Sequence, residues 1–290
     1  MMNDAKVLIL GLGEIGYSNA EYMSQHSLNV YGYDVEKRAI KRAIHDGVIK
    51  EEATSFMGFD YYIVCISTHD IANMNMPSFK GLFEIARRLY DEGAEGALVS
   101  IESTVTKGTC NKVSKILDHK LHLVHFPHRF YAKEKDVHGV RQLRVLGGYK
   151  KCCTNKAVKF YEDSLDIPLH IVSSIEIAEL SKIVENSYRF LEIAFSEELR
   201  MFCDAYQIDY HQLKEAINSK WNVNLLEAKE GIGGHCLPKD TEMYLKLLNR
   251  VSDESIIRSA KEVENRYRFE INHKDKLEKP IPFNQLQKNV

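Results

Sequence analysis

A glycine-rich segment that ends in a cysteine has the clearest chemical potential in the sequence. Residues 231–240 read GIGGHCLPKD, with three glycines within four positions. Such glycines permit a tight backbone that other groups can approach closely. The segment therefore predicts Cys236 as a nucleophile activated by its local field. Most free cysteines are only small buried apolar residues, an interpretation that fits Cys65.

A lysine and an asparagine one helical turn apart could stabilise negative charge. Lys182 and Asn186 lie in a long segment without Gly or Pro, where one helix face would present both. Lys182 has apolar neighbours, and a partly desolvated lysine could stabilise an oxyanion or act as a base. Taken alone, the spacing favours a simpler interpretation, a surface lysine beside an amide.

A third polar segment, Glu102-Ser103-Thr104, follows a predicted strand at 96–101. Ligands in open α/β sheets bind at the carboxyl ends of strands, so these groups could hold a nicotinamide ring or a water. A helix N-cap at Ser103 or Thr104 explains the spacing equally well. Thr68 is counted with Glu102 among the candidate cofactor-binding residues.

The strongest binding signal is near the N-terminus. Gly11, Gly13 and Gly16 form G-x-G-x-x-G between an apolar strand-like run and a helical segment. This pattern predicts a tight turn whose helix N-terminus binds a pyrophosphate. Asp34 ends the next strand, where a carboxylate accepts from a ribose 2′-hydroxyl and repels a 2′-phosphate. The cofactor is therefore predicted to be NAD, although Arg38 nearby could tolerate NADP.

The overall composition excludes several classes of protein. Of 290 residues, 44% are hydrophobic and 28% charged, which is typical of about two globular domains. The 39 lysines and arginines face 41 acidic residues, so no nucleic-acid partner is expected. No apolar run approaches the roughly 20 residues of a membrane span, and no secretory signal is apparent. The six cysteines lack CxxC spacing, so we expect no metal site and a reducing, cytoplasmic setting.

Apolar strand-like runs alternate with helical segments over residues 1–172. Such alternation predicts a Rossmann domain, a doubly wound parallel sheet with helices on both faces. We therefore expect an α/β fold in which this NAD-binding domain comes first.

An all-α domain with a long central helix is expected over residues 173–270. A capping box at Ser173 and Glu176 predicts a helix that runs unbroken from Ile175 to about Tyr206. A later helix is predicted at 241–248. Residues 271–290 are polar, contain two prolines and are expected to be a tail or linker.

In their order along the chain, these segments resemble the UDP-glucose/GDP-mannose dehydrogenase family, especially its UDP-N-acetylmannosamine dehydrogenase branch. The resemblance covers about residues 5–270 and rests on GLGEIG, Asp34, EST with GT, P-x-R-F, ELSKIVEN and GIGGHCLPKD. It implies an NAD-dependent enzyme that oxidises the C6 alcohol of a nucleotide sugar twice, to the carboxylate.

The same resemblance implies roles for single residues. Cys236 would capture the aldehyde as a thiohemiacetal, and a second hydride transfer would leave a thioester that water hydrolyses. Lys182 and Asn186 would stabilise the oxyanionic species. Thr104 would help to hold the catalytic water, and Asp240 would assist near the cysteine.

Two departures from the family pattern stand out. Where the family has a glutamate after a proline, this chain has His128, which could carry a proton near neutral pH but cannot be a fixed anion. Ala132 replaces an acid of the UDP-glucose branch, which favours the N-acetylmannosamine branch. Family members also have a third, UDP-binding domain, and this chain is expected to lack it.

Three functions stay open. The first is a nucleotide-sugar dehydrogenase, expected to form a homodimer through the long helix. The second is a two-domain β-hydroxyacid dehydrogenase, which uses a lysine and an asparagine for one oxidation and needs no cysteine. The third is a non-catalytic or split-enzyme NAD-binding subunit that depends on a separate UDP-binding polypeptide.

Overall fold

The computed structural model of this protein describes residues 4–70 and 76–273. The chain divides into two compact units, Met1–Ile183 and Val184–Val290. The division falls inside the long helix, whereas the predicted boundary at residue 172 precedes that helix. Of the predicted tail, residues 274–290 lie outside the described part of the chain.

One sheet organises the first unit, with the strand order β2-β1-β3-β4-β5-β6-β7. Neighbouring strands are parallel except β5 and β6. The order reverses beside β1, which makes the carboxyl end of β1 a switch point where ligands bind in such sheets. The predicted Rossmann architecture is confirmed. The strands are β1 (Lys6–Leu10), β2 (Asn29–Tyr33), β3 (Tyr61–Val64), β4 (Leu98–Ile101), β5 (His122–His125), β6 (Arg144–Gly148) and β7 (Leu169–Ile171).

The expectation of a fully parallel sheet is wrong at β6. Between β5 and β6 the described chain forms only a short turn at Ala132–Glu134 and the four-residue helix α5 (Lys135–His138). A parallel crossover needs a dozen or more residues, usually with a helix long enough to return along the sheet. Because β6 runs antiparallel to β5, its first residue, Arg144, lies toward the carboxyl end of β5.

Helices cover both faces of this sheet. Along β1, Val7 and Ile9 contribute to one apolar cluster, and Leu8 and Leu10 contribute to another. A strand that is buried on both faces has the continuous apolar sequence seen here. The remaining helices before the long one are α1 (Glu14–Gln25), α2 (Lys37–His45), α3 (Lys80–Glu92), α4 (Thr109–Ile116) and α6 (Lys151–Val158), which continues as a π-helical turn at Lys159–Ser164.

The long helix α7 spans Ile175–Tyr206, with the bounds predicted from its sequence. Its capping residue differs from the prediction, because the backbone N–H of Ile177 donates to the hydroxyl of Ser174 and not to that of Ser173. Ser174 immediately precedes the first helical residue, which is the ordinary place of an N-cap.

Among its described residues, the second unit contains three further helices: α8 (Tyr210–Asn218), α9 (Cys236–Leu248) and α10 (Ile256–Asn272). Helix α9 begins at Cys236, five residues before its predicted start. A proline in its first turn is compatible with a helix, because the missing N–H has no partner there anyway. Two small apolar clusters hold this unit together, one around Phe190 and Ile232 and one around Cys203 and Tyr267.

Within the described residues, no helix combines the length and the apolar character that crossing a bilayer would require.

Candidate functional site

The turn between β1 and α1 has the geometry of a dinucleotide-binding loop. Gly11 has φ +95°, and a Cβ there would lie 2.7 Å from the carbonyl oxygen of Cys65. A Cβ on Gly16 would lie 1.8 Å from the carbonyl oxygen of Gly11. Gly13 is the N-cap of α1, without a side-chain cap, and the space where its Cβ would stand is open. The N-terminus of α1 can therefore receive an anion such as a pyrophosphate.

Asp34, just after β2, holds this turn in place. Its Oδ2 accepts from the N–H of Leu12 at 2.5 Å, and its Oδ1 accepts from the N–H of Glu36 at 2.8 Å. A carboxylate has about four acceptor positions, so two remain for a ribose hydroxyl. A 2′-phosphate at this place would meet a negative charge, and the residues thus fit NAD.

A cavity of about 960 Å³ opens beside the turn. Its lining includes Gly13, Asp34 and Ser67, with the cations Lys80 and Arg88. Both the volume and the mixture of apolar walls with a few polar groups are those of a cofactor site.

Two predicted cofactor contacts lie elsewhere. Arg38 is exposed on α2 and does not belong to the described lining of the cavity. Thr68 is buried, and its hydroxyl donates to the carbonyl of Thr104 at 2.7 Å, so it links two loops of the protein.

Glu102, expected to contact a cofactor or a water, is instead the centre of a buried network. Its Oε2 accepts from Arg144 Nη2 at 2.5 Å, from Asn19 Nδ2 at 2.8 Å and from His128 Nε2 at 3.1 Å. Its Oε1 accepts from the hydroxyl of Tyr161 at 2.8 Å. Glu102 is 2% exposed and Arg144 is 0% exposed. Because protein groups donate to both of its oxygens, the Glu102 carboxylate has a structural role.

The electrostatics of this network fix its ionisation state. Burial opposes the charge on Glu102, but the Arg144 guanidinium and the His128 hydrogen bond outweigh it and lower the pKa of Glu102 to about 2. Burial and the Arg144 charge lower the pKa of His128 to about 4, although Glu102 acts against them. At neutral pH the network is an ion pair with a neutral imidazole beside it.

The expectation that His128 carries a proton near neutral pH is therefore wrong for this structure. The imidazole is 6% exposed, and its Nε2 lies 3.0 Å from Asn19 Oδ1. The positive charge of Lys182 on α7 further disfavours the imidazolium form, which indicates that these two predicted catalytic residues are electrostatically coupled.

Thr104 and Ser103 lie in the loop after β4, and neither caps a helix. Ser103 donates its hydroxyl to the carbonyl of Ile66 at 2.7 Å, and α4 begins only at Thr109. The predicted N-cap at these two positions is wrong. Thr104 is half-buried, and its role toward a water stays a prediction.

Glu179 supplies the missing cap from α7. Its carboxylate accepts from the backbone N–H groups of Gly108 and Cys110, both at 2.6 Å, at the N-terminus of α4. Burial raises the pKa of Glu179 in spite of these bonds. Glu179 therefore joins the long helix to the start of α4.

In the second unit, the structure brings together residues that the sequence separates widely. Asn186 on α7 donates from Nδ2 to Asp240 Oδ2 at 2.5 Å. Asp240 on α9 is 0% exposed, and its Oδ1 lies 2.9 Å from Lys239 Nζ. The Asp240 carboxylate is thereby held in place by an amide and a cation.

Cys236 is the first residue of α9 and is exposed. The glycine-rich segment leads directly into it, with Gly231 at φ +89° and Gly234 at φ +78°. A helix N-terminus presents backbone N–H groups and partial positive charge to an anion formed there. A thiol in this position can attack an electrophilic carbon that approaches from solvent.

One group among the described residues could hold a metal ion, where none was expected. The potential ligand atoms of His122 on β5 and of Cys152 and Cys153 on α6 lie within 4.8 Å of one another. The two cysteines are adjacent in sequence and therefore lack the CxxC spacing that is typical of metal sites. The expected absence of a metal stays a prediction.

Arg144 and Asn19 are the important residues that the sequence patterns do not predict. Arg144 is a single cation at the start of a strand, and Asn19 is a polar residue within α1. The sequence feature that could have indicated them is His128. A neutral or cationic side chain in place of the family's glutamate implies that a carboxylate and a cation lie elsewhere in the network.

Comparisons with known proteins agree with this geometry. Residues 176–266 match the central domain of the UDP-glucose/GDP-mannose dehydrogenase family. A UDP-N-acetyl-D-mannosamine dehydrogenase of Pyrococcus horikoshii is 26% identical over 291 positions, covering 90% of this chain and 68% of the relative. One from Methanococcus vannielii is 25% identical, covering 90% of this chain and 65% of the relative.

A solved structure, a UDP-D-ManNAc dehydrogenase of Pyrococcus horikoshii, superimposes with a TM-score of 0.78 at 25% identity, covering 90% of this chain and 68% of that one. The present chain thus spans about two thirds of the length of these relatives. The predicted resemblance to the UDP-glucose/GDP-mannose dehydrogenase family is thus confirmed, in the matched central domain and in the shared fold.

Proposed function

We propose that this chain carries the catalytic part of an NAD-dependent dehydrogenase that oxidises the C6 alcohol of a nucleotide sugar to the carboxylate. The observation that carries the proposal is the pairing of Asn186 with Asp240 on α9, the helix that begins with the exposed Cys236. Two motifs that lie far apart in the sequence, one ending at Asn186 and one containing Cys236 and Asp240, are thereby joined in the second unit. The dehydrogenase names of the relatives support the same reaction class.

The reaction divides into two oxidations of one carbon. When bound, NAD accepts a hydride in each of them. After the first oxidation, the Cys236 sulfur adds to the aldehyde carbon and the carbonyl oxygen gains a proton, giving a thiohemiacetal. The second oxidation leaves a thioester, and water cleaves its C–S bond to release the carboxylate and regenerate the thiol. One alcohol and one water thus yield one carboxylate, with two hydrides removed.

The other residues stabilise charge and position water. Lys182 and Asn186 offer a cation and an amide to the oxyanions that form on addition to the carbonyl carbon and on hydrolysis. Thr104 is proposed to help hold the water that hydrolyses the thioester. Asp240 is proposed to assist near the Cys236 sulfur. His128 is assigned a hydrogen-bonding role, because its pKa is lowered to about 4 and its imidazole is neutral at pH 7.

NAD is the proposed cofactor, and its preference over NADP rests on Asp34. The carboxylate stands at the end of β2 and already holds the glycine turn. We expect titration calorimetry to give a much weaker affinity for NADP, by roughly tenfold or more for one repulsive charge contact. Equal affinities would contradict this assignment.

A second copy of this chain is the proposed partner of α7. Tyr188, Phe195 and Phe202 recur every seven residues along that helix and are 60%, 57% and 46% exposed. A seven-residue apolar repeat on one helix face is typical of helix pairing. Phe195→Glu is expected to convert a dimer to a monomer in sedimentation analysis, while exposed Glu198→Gln leaves the dimer intact. A wild-type protein that sediments as a monomer would contradict the proposed dimer.

A separate polypeptide is the proposed binding partner for the UDP half of the substrate. The nucleotide-sugar substrate itself follows from the relatives' names and is part of the same proposal. All six cysteines are free thiols, which fits the proposed reducing, cytoplasmic setting.

The deciding experiment counts NADH formed per substrate consumed, with NAD and a panel of UDP-sugars and β-hydroxyacids. The proposal predicts two NADH per sugar for the wild type and loss of the second oxidation in Cys236→Ser. Cys152→Ser, which removes the other exposed thiol, is the matched control and should retain both oxidations.

Two NADH per sugar from Cys236→Ser would overturn the thioester route. One oxidation of a β-hydroxyacid, unaffected by Cys236→Ser, would identify a hydroxyacid dehydrogenase. No turnover from folded, NAD-binding protein would indicate a split enzyme or a cofactor-binding subunit.

A further inference from the structure

The glycine-rich segment before Cys236 is held at a single residue, Ile232. Its backbone N–H donates to Glu264 Oε1 at 3.0 Å, and its carbonyl accepts from the guanidinium of Arg268. Arg268 also pairs with Glu264, one turn earlier on α10. Both backbone groups of one loop residue are therefore bound by one ion pair.

The packing at Gly231 makes this arrangement specific. A Cβ at Gly231 would lie 3.0 Å from Cγ of Arg268 and 3.1 Å from its guanidinium carbon. The arginine side chain thus fills the space that only a glycine leaves, and Ile232 itself is 3% exposed. The loop is fixed by contact as well as by hydrogen bonds.

Glu197 on α7 lies next to Glu264 of this ion pair and is 0% exposed. Neither of its carboxyl oxygens meets a conventional donor among the described residues, and Glu264 Oε2 lacks one as well. Yet the two carboxyl groups are within hydrogen-bonding reach of each other. Two ionised carboxylates can only accept, so this contact requires one proton between them.

We propose that Glu197 carries this proton, donates it in a hydrogen bond to Glu264, and so positions the Glu264–Arg268 pair that fixes Ile232 before Cys236. The catalytic meaning of that position rests on the proposed function, whereas the clamp itself does not. Glu197 is a positioning residue, since it acts on the segment through Glu264.

The surrounding charges support one proton in the pair. Burial and then the neighbouring Glu264 raise the pKa of Glu197 to about 9, and Arg268 only partly opposes them. Tyr267 on α10 has its pKa raised to about 12 by burial and then by Glu197, and stays neutral. The Arg268 guanidinium therefore neutralises the Glu264 carboxylate, and the Glu197 carboxyl stays protonated.

Hydrogen exchange of the peptide containing Ile232 tests the clamp directly. Glu197→Gln keeps a donor for Glu264 without a titrating proton, and is expected to retain wild-type protection at pH 7 within about twofold. Glu197→Ala removes the donor, and Glu264→Ala removes the acceptor of the Ile232 N–H. Both should lose protection at least tenfold while circular dichroism shows folded protein. Glu198→Gln, an exposed neighbour, is the matched control.

The pH dependence separates positioning from simple packing. Between pH 7 and 10 the wild type should lose protection relative to Glu197→Gln, because only the wild type can lose the shared proton; the ratio removes the intrinsic pH dependence of exchange. A constant ratio, or a Glu197→Gln variant as unprotected as Glu197→Ala, would overturn the proposal. Exchange is independent of turnover, so an inactive protein with an intact clamp would count against the proposed function alone.

Discussion

Two buried glutamates, one in each unit, have opposite ionisation states. Glu102 in the first unit has its pKa lowered to about 2, and Glu197 in the second has its pKa raised to about 9. Both are almost completely inaccessible to solvent. Burial disfavours the charge in both, so their partners decide the outcome.

The difference lies in the number of cations per carboxyl group. Glu102 forms an ion pair with Arg144, and hydrogen-bond donors contact both oxygens of its carboxylate. Glu197 shares Arg268 with Glu264, which already pairs with that cation. A buried carboxyl is therefore an anion where a cation is assigned to it and an acid where two carboxyls compete for one.

Removing the cation from the first network should have the largest effect. Arg144→Met leaves an ionised Glu102 buried without its counter-ion, and such a loss costs about 3–5 kcal/mol of unfolding free energy. Urea unfolding followed by circular dichroism measures it. Adding Glu102→Gln should restore part of that loss, because no buried charge then remains. Additive losses in the double variant would contradict the ion-pair interpretation.

The second network should give a pH dependence of opposite sign to that of the first. Glu197 has a folded-state pKa above its ordinary value, so between pH 4.5 and about 9 the folded state binds more protons than the unfolded state, and stability falls as pH rises. Relative to Glu197→Gln, the wild type should lose about 2–3 kcal/mol from pH 6 to 8, at about 1.4 kcal/mol per pH unit. Parallel pH–stability curves for the two proteins would show that the carboxyl does not carry a shared proton.

Local patterns predicted much of this architecture, and the charge networks lay beyond them. The bounds of β1 and α7 follow from a short apolar run and from an unbroken segment without Gly or Pro. Residues such as Cys236 and Asn186 were recognisable because their motifs are contiguous. The state of Glu197 was not predictable, since its neighbour Glu198 has the same side chain and is exposed. Which of the two is buried depends on packing against α10, 67 positions away in the sequence (264 minus 197).

Glu179 offers an intermediate case, a buried carboxylate that accepts hydrogen bonds from two backbone N–H groups. It accepts from the N–H groups of Gly108 and Cys110, and burial raises its pKa. Glu179→Gln keeps one acceptor oxygen and should cost about 1–2 kcal/mol in urea unfolding, the size of a lost helix cap. Glu176→Gln, whose carboxylate accepts from the side chain of Asn111, serves as the control on the same helix and should cost less. A loss as large as that of Arg144→Met would mean that the cap carries an ion-pair-like energy.

The smallest effect is expected at His128, which tests whether the first network needs one cation or two. With its pKa lowered to about 4, the imidazole is neutral at pH 7 and acts only as a hydrogen-bond donor to Glu102 and Asn19. His128→Gln retains a donor, so the unfolding free energy should fall by less than about 1 kcal/mol, the net value of one neutral hydrogen bond. The stability advantage of the wild type over the variant should shrink by about 0.8 kcal/mol as the pH falls from 8 to 6, because the unfolded imidazole, with its ordinary pKa of 6.5, binds a proton that the folded one does not. If that difference instead grew as the pH fell from 8 to 6, the imidazole would be charged in the folded protein, and Glu102 would then be held by two cations.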